Sequence, residues 1–401
     1  YNVYCYSMFI CTCCMSDTKK TLINLGNQPY ANKYPSSETK LNEPINNLSI
    51  EICTKCYTAS TKNIASRKIM FEEYFYLSSI NSELVKHFKN LAKIIPPTSK
   101  LLDIGSNDGI FLKPLQEKNV NALGIDPSEN VGKIANENGL KTIIGFFDDK
   151  NTSEILNNYG KFDYIIASSI FTHVEKSDEF INNVFNLLND NGTFILEIEY
   201  IKNILSNIEF ERFYFDRPYY FSIKGVMNIF EKNKLFVNKI ENISPHGGSL
   251  RFFISKEKFN LSQDLQYFLN EEDKFFKNFF KNDYQKIAQH EATRLKNFLI
   301  KLKEQGDKVI GFGCPARFST ITNFINIDKS LLPFVIDDSP IKQNKLSPGK
   351  HIPIVPREFL ENYNPDVIIV FAYEYFNSIY SYTKKFKADH YKPIPLSQMN
   401  Y

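Results

Sequence analysis

The chain of 401 residues has no tryptophan, so its cores must be built from its 35 phenylalanines and 23 tyrosines. It has no apolar run approaching the roughly 20 residues that a membrane-spanning helix requires. Charge of either sign is not in excess: 48 basic and 45 acidic residues leave a net charge of +3, without a long lysine or arginine stripe. A nucleic-acid-binding surface should look more basic than this. A basic leader is also missing. Residues 1–7 run uncharged into Met8, which is read as the natural start, and a cytoplasmic location is expected. What the chain does hold is 43% hydrophobic and 14% aromatic residues. A chain of this length exceeds what one core usually serves, and two or three domains are expected.

Cysteines are few but patterned. They stand at positions 5, 11, 13, 14, 53, 56 and 314. Cys11 with Cys14, and Cys53 with Cys56, form two C-x-x-C knuckles separated by 38 residues. Each knuckle can place two thiolates on one ion, and together they complete a tetrahedral four-thiolate zinc site. A module of about 60 residues needs such a staple. Four thiolates leave no position for water, so the zinc is expected to be structural. Disulfides are disfavoured in a cytoplasmic chain.

The second pattern begins after Pro96 and Pro97. Leu101-Leu102-Asp103-Ile104 is an apolar run that turns through Gly105 and Gly109 into a helical stretch. Ala122-Leu123-Gly124-Ile125-Asp126 follows as a second buried strand ending in a carboxylate. Strand, glycine turn, helix, strand and terminal acid make the first half of a nucleotide-binding α/β fold. Glycine permits φ > 0 and a close backbone approach at such a turn. Asp126 stands where a carboxylate accepts hydrogen bonds from both hydroxyls of a ribose. Further strands are expected over 143–148, 162–168, 192–200, 308–313 and 366–371. Helices are expected over 82–94 and 271–304, the latter burying Phe276, Phe280, Ile287, Leu295 and Leu299. Ligands of an open α/β sheet bind beyond the carboxyl ends of its strands. That rule gathers Asp103, Asp126, His173 and Glu199 on one rim.

The turn Asp103-x-Gly105-x-x-x-Gly109 is neither the G-x-G-x-x-G phosphate fingerprint nor a P-loop. It resembles motif I of the class I S-adenosylmethionine (SAM) methyltransferases, whose turn receives the methionine portion of the ligand. The resemblance implies a SAM pocket formed by Asp103, Gly105, Ser106, Asn107, Gly109 and Asp126. Phe147 would edge the adenine and Ser169 would close the pocket, with His173 reaching towards substrate.

Later segments extend the resemblance. Tyr214-Phe215-Asp216-Arg217-Pro218-Tyr219-Tyr220-Phe221 is followed by His246-Gly247-Gly248-Ser249-Leu250-Arg251. Gly311-Phe312-Gly313-Cys314-Pro315-Ala316-Arg317 and Ile336-Asp337-Asp338-Ser339 come next. With the two knuckles and the glycine turn, this order is similar to the zinc-containing sugar C-methyltransferases of deoxysugar pathways. The resemblance implies an α/β chain with a zinc-binding module (8–75), a Rossmann-like SAM domain (76–255), a helical connection (256–305) and a C-terminal Rossmann-like domain (306–401). The last would help hold a nucleotide-linked sugar, with neither nucleic acid nor membrane as partner.

The implied reaction is methylation of the carbon beside the ketone of a nucleoside-diphosphate 4-keto sugar. The family reads Tyr-His-Glu-His where this chain has Tyr214-Phe215-Asp216-Arg217, so Arg217 replaces the expected base. A guanidinium stays protonated and cannot be the resting base. It suits anchoring a phosphate or stabilising an enolate. The proton is then expected on Asp216, Tyr214, Tyr76, His173 or His246. An O- or N-methyl acceptor, a non-catalytic nucleotide-sugar-binding role and a nucleic-acid methyltransferase are the rival readings.

Overall fold

The computed structural model describes residues 10–63, 79, 82–245 and 248–400. Met8, Tyr76 and His246 lie outside the described residues. The chain begins with β1 (Lys19–Pro29), β2 (Ile45–Cys53) and β3 (Ala59–Thr61), paired antiparallel. The inner ends of these strands bury Ile23, Leu25, Ile50 and Ile52.

The expected helix follows as Ser82–Lys93. Then come β4 (Lys100–Ile104), β5 (Asn121–Asp126), β6 (Thr142–Ile144), β7 (Phe162–Ser168) and β8 (Leu188–Glu199). They form a parallel sheet. Leu101, Leu102, Ile165 and Ile166 are fully buried whichever way they point along their strands, as expected where helices cover both faces. The third strand is shorter than the sequence suggests, because Gly145 leaves the sheet.

The chain then leaves this sheet. Strand β9 (Tyr219–Tyr220) pairs instead with β3 of the first unit, Tyr220 opposite Ala59 and Tyr219 opposite Ser60. It returns as β10 (Phe236–Ile243) and β11 (Ser249–Ser255), with β11 antiparallel to β8. The central order is β10-β11-β8-β7-β4-β5-β6. This bears out the Rossmann-like class.

The expected helical connection is two helices, Gln263–Phe279 and Tyr284–Gln305. They break at Asp283, whose carboxylate caps the second helix by accepting from the Lys286 N–H. The second helix buries Ala288, Ala292, Leu295 and Leu299, while Ile287 is exposed. Small alanines, rather than Ile287, let this helix approach its neighbours. Phe276 of the first helix is buried as expected and stacks on Tyr57 of the first unit at 4.4 Å. The last unit contains β12 (Val309–Phe312), β13 (Val335–Ile336), β14 (Ile354–Val355), β15 (Val367–Val370), β16 (Asp389–Lys392) and β17 (Ser397–Gln398). Its order is β14-β13-β12-β15-β16-β17, parallel except for β17.

One buried carboxylate fastens the helical connection to the central unit. Glu272 has no exposed surface. It accepts hydrogen bonds from the Tyr200 hydroxyl (2.9 Å) and from the N–H groups of Ile223 (2.7 Å) and Lys224 (3.0 Å). The two amides open the helix Ile223–Lys232, where a carboxylate also suits the helix dipole. Glu272→Ala strands three donors, each worth about 1–3 kcal/mol when left buried and unpaired. We expect urea unfolding to report a loss of at least roughly 3 kcal/mol, and Glu272→Gln to lose less.

Candidate active site

Each cysteine knuckle closes as a turn. The Met15 N–H donates to the Cys11 carbonyl and the Tyr57 N–H to the Cys53 carbonyl, both at 2.9 Å. Met15 and Tyr57 both have positive φ, 57° and 68°. The same local conformation, used twice, brings four sulfurs together. The ligand atoms of Cys11, Cys14, Cys53 and Cys56 lie within 4.8 Å of one another. Cys11 Sγ is 3.6 Å from Cys56 Sγ, and Cys14 Sγ is 3.6 Å from Cys53 Sγ. A tetrahedral zinc with ~2.3 Å bonds needs sulfurs about 3.8 Å apart, so the set fits the ion. Cys13, buried beside Cys11, is not one of the four, and Cys314 is buried in the last unit.

The carboxyl edge of the central sheet carries the expected rim. Asp103 is next to last in β4, Asp126 ends β5, Glu199 ends β8, and His173 lies just beyond β7. Gly105 has φ of 76°, and a Cβ there would come within 2.3 Å of the Ile170 side chain. Gly109 has φ of 83°, and its Cβ would strike Leu140 at 2.5 Å. The missing Cβ of the second glycine makes room for Leu140 beneath the turn. Asp126 organises the turn itself, accepting from the N–H groups of Asn107 and Ser128, both at 2.9 Å. Each of its oxygens retains a lone pair for a ribose hydroxyl. Burial pushes the Asp126 carboxyl up, against the pull of those backbone donors. Burial, with Asp126 and Glu197 nearby, pushes Asp103 to about 8.

Two buried polar atoms at the turn, Ser106 Oγ and Asp108 Oδ1, have no hydrogen-bond partner among the described residues. A polar ligand fits this turn, and Asp103, Gly105, Ser106, Asn107 and Asp126 would hold SAM there. Ser169 stands at the mouth of β7 with φ of 60°, beside Ile170, which covers Gly105. Phe147 departs from expectation: it is turned into the core against Phe180, ring centres 5.1 Å apart.

The segment 213–218 turns under the zinc module. Phe213 and Phe215 are buried anchors on either side of Tyr214. The Tyr220 hydroxyl accepts from the Tyr214 N–H (3.0 Å) and donates to its carbonyl (3.3 Å). Thr61, on β3, donates its hydroxyl to the Arg217 carbonyl at 2.7 Å. The turn is thus fixed by backbone contacts from both flanks. His173 Nδ1 donates to the Asp216 carbonyl at 2.6 Å, which sets the imidazole tautomer.

Arg217 makes a bidentate pair with Glu199, Nη1 to Oε2 at 2.5 Å and Nη2 to Oε1 at 2.8 Å. The fork expected to anchor a phosphate is already engaged by a protein carboxylate. Arg217 Nε, also buried, has no hydrogen-bond partner among the described residues. The guanidinium lies 4.9 Å from the Tyr214 ring centre. Burial pushes the Tyr214 hydroxyl up to about 12, with Arg217 opposing the shift. Asp216 is 7% exposed; its Oδ2 accepts from Asn32 Nδ2 at 2.5 Å, and its Oδ1 has no partner among the described residues. Burial raises its pKa, while the Asn32 hydrogen bond and the Arg217 charge hold it back. Asn32 was invisible as a site residue because it sits in a turn-rich stretch between the knuckles, with no local motif to mark it.

Two predictions follow from this geometry. Cys53→Ser combined with Cys56→Ser should abolish stoichiometric zinc in metal analysis. Because β3 tethers the 213–218 turn, metal loss should depress methyl transfer far more than SAM affinity, measured by calorimetry. Asp126→Asn should weaken SAM at least roughly tenfold, since hydrogen bonds to a charged group are worth ~1.5–3 kcal/mol each.

Comparison with known sequences agrees with this layout. Residues 11–71 match a zinc binding domain, 76–235 a methyltransferase domain, and 244–395 a C-methyltransferase C-terminal domain. The chain is 23% identical over 387 residues to the C-methyltransferase NovU of Streptomyces niveus, covering 94% of this chain and 92% of that protein. It is also similar to a ubiquinone biosynthesis O-methyltransferase of Pelagibacter ubique, 31% identical over 114 residues, which span 28% of this chain and 48% of the relative. The chain is a SAM-dependent methyltransferase, with segments that match a zinc binding domain, a methyltransferase domain and a C-methyltransferase C-terminal domain.

Proposed function

We propose that the protein methylates the carbon beside the ketone of a nucleotide-linked 4-keto sugar, through an enolate, with Asp216 as the proton acceptor. The observation that carries this reading is a pair of buried atoms on consecutive residues with no hydrogen-bond partner among the described residues: the acceptor Asp216 Oδ1 and the donor Arg217 Nε. A carbon acid needs a base for its proton and a donor for the oxygen that becomes negative. The similarity to NovU along 92% of its length supports a carbon acceptor.

Asp216 Oδ1 takes the proton, and the C–H electron pair moves into the ketone to give the enolate. Arg217, held planar and charged by Glu199, offers its Nε–H to the enolate oxygen. SAM supplies the methyl group and leaves as a neutral thioether. Asp216 then carries the proton lost from carbon. A base of this kind works ionised, and burial raises its pKa. Activity should therefore rise with pH through a limb lying above ~3.9, the ordinary aspartate value.

Solvent-deuterium exchange at the carbon beside the ketone, followed without SAM on a nucleoside-diphosphate 4-keto-6-deoxyhexose, isolates the proton step. Wild type should exchange and Asp216→Asn should not. Arg217→Lys keeps the charge but loses the fork on Glu199, and its exchange should fall at least roughly tenfold. Methyl transfer to a compound that shows no exchange would replace this reading with O- or N-methylation. Loss of exchange in His173→Gln, with Asp216→Asn unaffected, would move the base to His173.

A further inference from the structure

The zinc module sends one side chain into the proposed reaction site. The segment Tyr30-Ala31-Asn32-Lys33-Tyr34 follows β1, and its alternate side chains meet two parts of the molecule, the 213–218 turn and the last unit. Tyr30 packs edge-on against Phe215, ring centres 5.6 Å apart. Asn32 donates Nδ2–H to Asp216 Oδ2 at 2.5 Å. Tyr34 donates its hydroxyl to the Cys314 carbonyl of the last unit at 2.7 Å, with the Lys342 ammonium 5.2 Å from its ring centre. Anchors on both sides thus fix the height of Asn32 over the 213–218 turn.

We propose that Asn32 is a positioning residue for Asp216: by engaging Oδ2 it fixes the carboxylate plane and leaves Oδ1 as the oxygen that receives the substrate proton. This inference rests on the reading of Asp216 as the base. A carboxylate turns about a broad terminal torsion, so an unheld one would present either oxygen. Proton transfer demands a defined orientation, and misplacement costs rate even when every group is present. Asn32 is the side-chain hydrogen-bond donor to Asp216 among the described residues. The other polar groups around Asp216 are the charges of Arg217 and Lys33, the Tyr214 ring and the His173 imidazole on its carbonyl. The two cations remain when Asn32 is changed. Any movement of the titration then reports the lost hydrogen bond to the ionised carboxylate.

The test is the pH profile of deuterium exchange, using the 4-keto-6-deoxyhexose nucleotide and the full-length zinc-loaded protein. Asn32→Leu keeps the branched outline without a donor, and Asn32→Asp conserves shape while turning a carboxylate on Asp216. The limiting exchange rate should fall at least tenfold in Asn32→Leu. Its acid limb should move upward by about one pH unit, and further in Asn32→Asp, because the ionised form of Asp216 loses support in one and meets repulsion in the other. Zinc content and SAM affinity should be unchanged. A limb that stays in place in both variants overturns the positioning role, whatever happens to the rate. Continued exchange by Asp216→Asn overturns the base assignment and this inference together. Inactive Asp216→Asn with wild-type profiles in both Asn32 variants removes this inference alone.

Discussion

The pairing of β3 with β9 is the contact on which the site depends. It is a very short strand pair, Ala59 and Ser60 against Tyr220 and Tyr219. Yet it joins the two parts of the chain that must meet. On one side, β3 lies directly after the Cys53–Cys56 knuckle, so its position follows from the four sulfurs. On the other, β9 begins one residue after the turn that carries Asp216 and Arg217. The Thr61 hydroxyl and the Tyr220 hydroxyl lock that turn's backbone. A zinc ion held by Cys11, Cys14, Cys53 and Cys56 would do no chemistry, but it would determine where the turn sits. A small module without much core needs such a constraint to be stiff.

Charge at the site is arranged as a chain of alternating sign, buried at Arg217, Glu199, Arg212 and Glu209. Arg217 is clasped by Glu199, and Arg212 approaches the same carboxylate at 3.7 Å. Arg212 also binds Glu209 and Glu374, and Glu374 holds Arg317 of the last unit at 2.7 Å. A buried pair of this sort adds little net stability, but loss of one member leaves an uncompensated charge. The arrangement carries a structural consequence: the orientation of Arg217 is linked through four side chains to the junction with the C-terminal sheet. Glu211, beside this chain and without exposed surface, is pushed by burial to about 7. It accepts from the Tyr373 hydroxyl at 3.1 Å.

The central and C-terminal units use one device twice. After β4 and after β12 the chain turns through a glycine with positive φ, Gly105 and Gly313. The strand beside each ends in an aspartate, or is directly followed by one. Asp126 accepts from the N–H groups of Asn107 and Ser128, and Asp337 from those of Cys314 and Ser339. In both, a carboxylate pins the glycine turn and the residue two places beyond itself. The copies differ in what lies above. Lys342 reaches Asp337 Oδ2 at 3.3 Å and the Cys314 carbonyl at 3.1 Å, and Tyr34 shares that carbonyl. Side chains of this protein thus cover the second turn, and the zinc module docks there.

The sequence by itself determined the zinc ligands, the glycine turn and the strands β4, β5, β7, β12 and β15. Each is written within a few consecutive residues, as C-x-x-C spacing or as an apolar run closed by glycine, so no distant partner is needed to read it. It also marked the segment 214–217 and the loss of its expected base, because that signal is a substitution in a local string. Tertiary structure decided everything that joins separate strings. Only the folded chain puts Glu199 on Arg217, turns Phe147 inward, gives Gly109 a packing task and brings Asn32 to Asp216 across 184 positions. The reason is physical: hydrogen bonds and ion pairs between side chains depend on distances of a few ångströms. Those distances are set by how sheets pack and where β9 pairs, and no spacing along the chain encodes them.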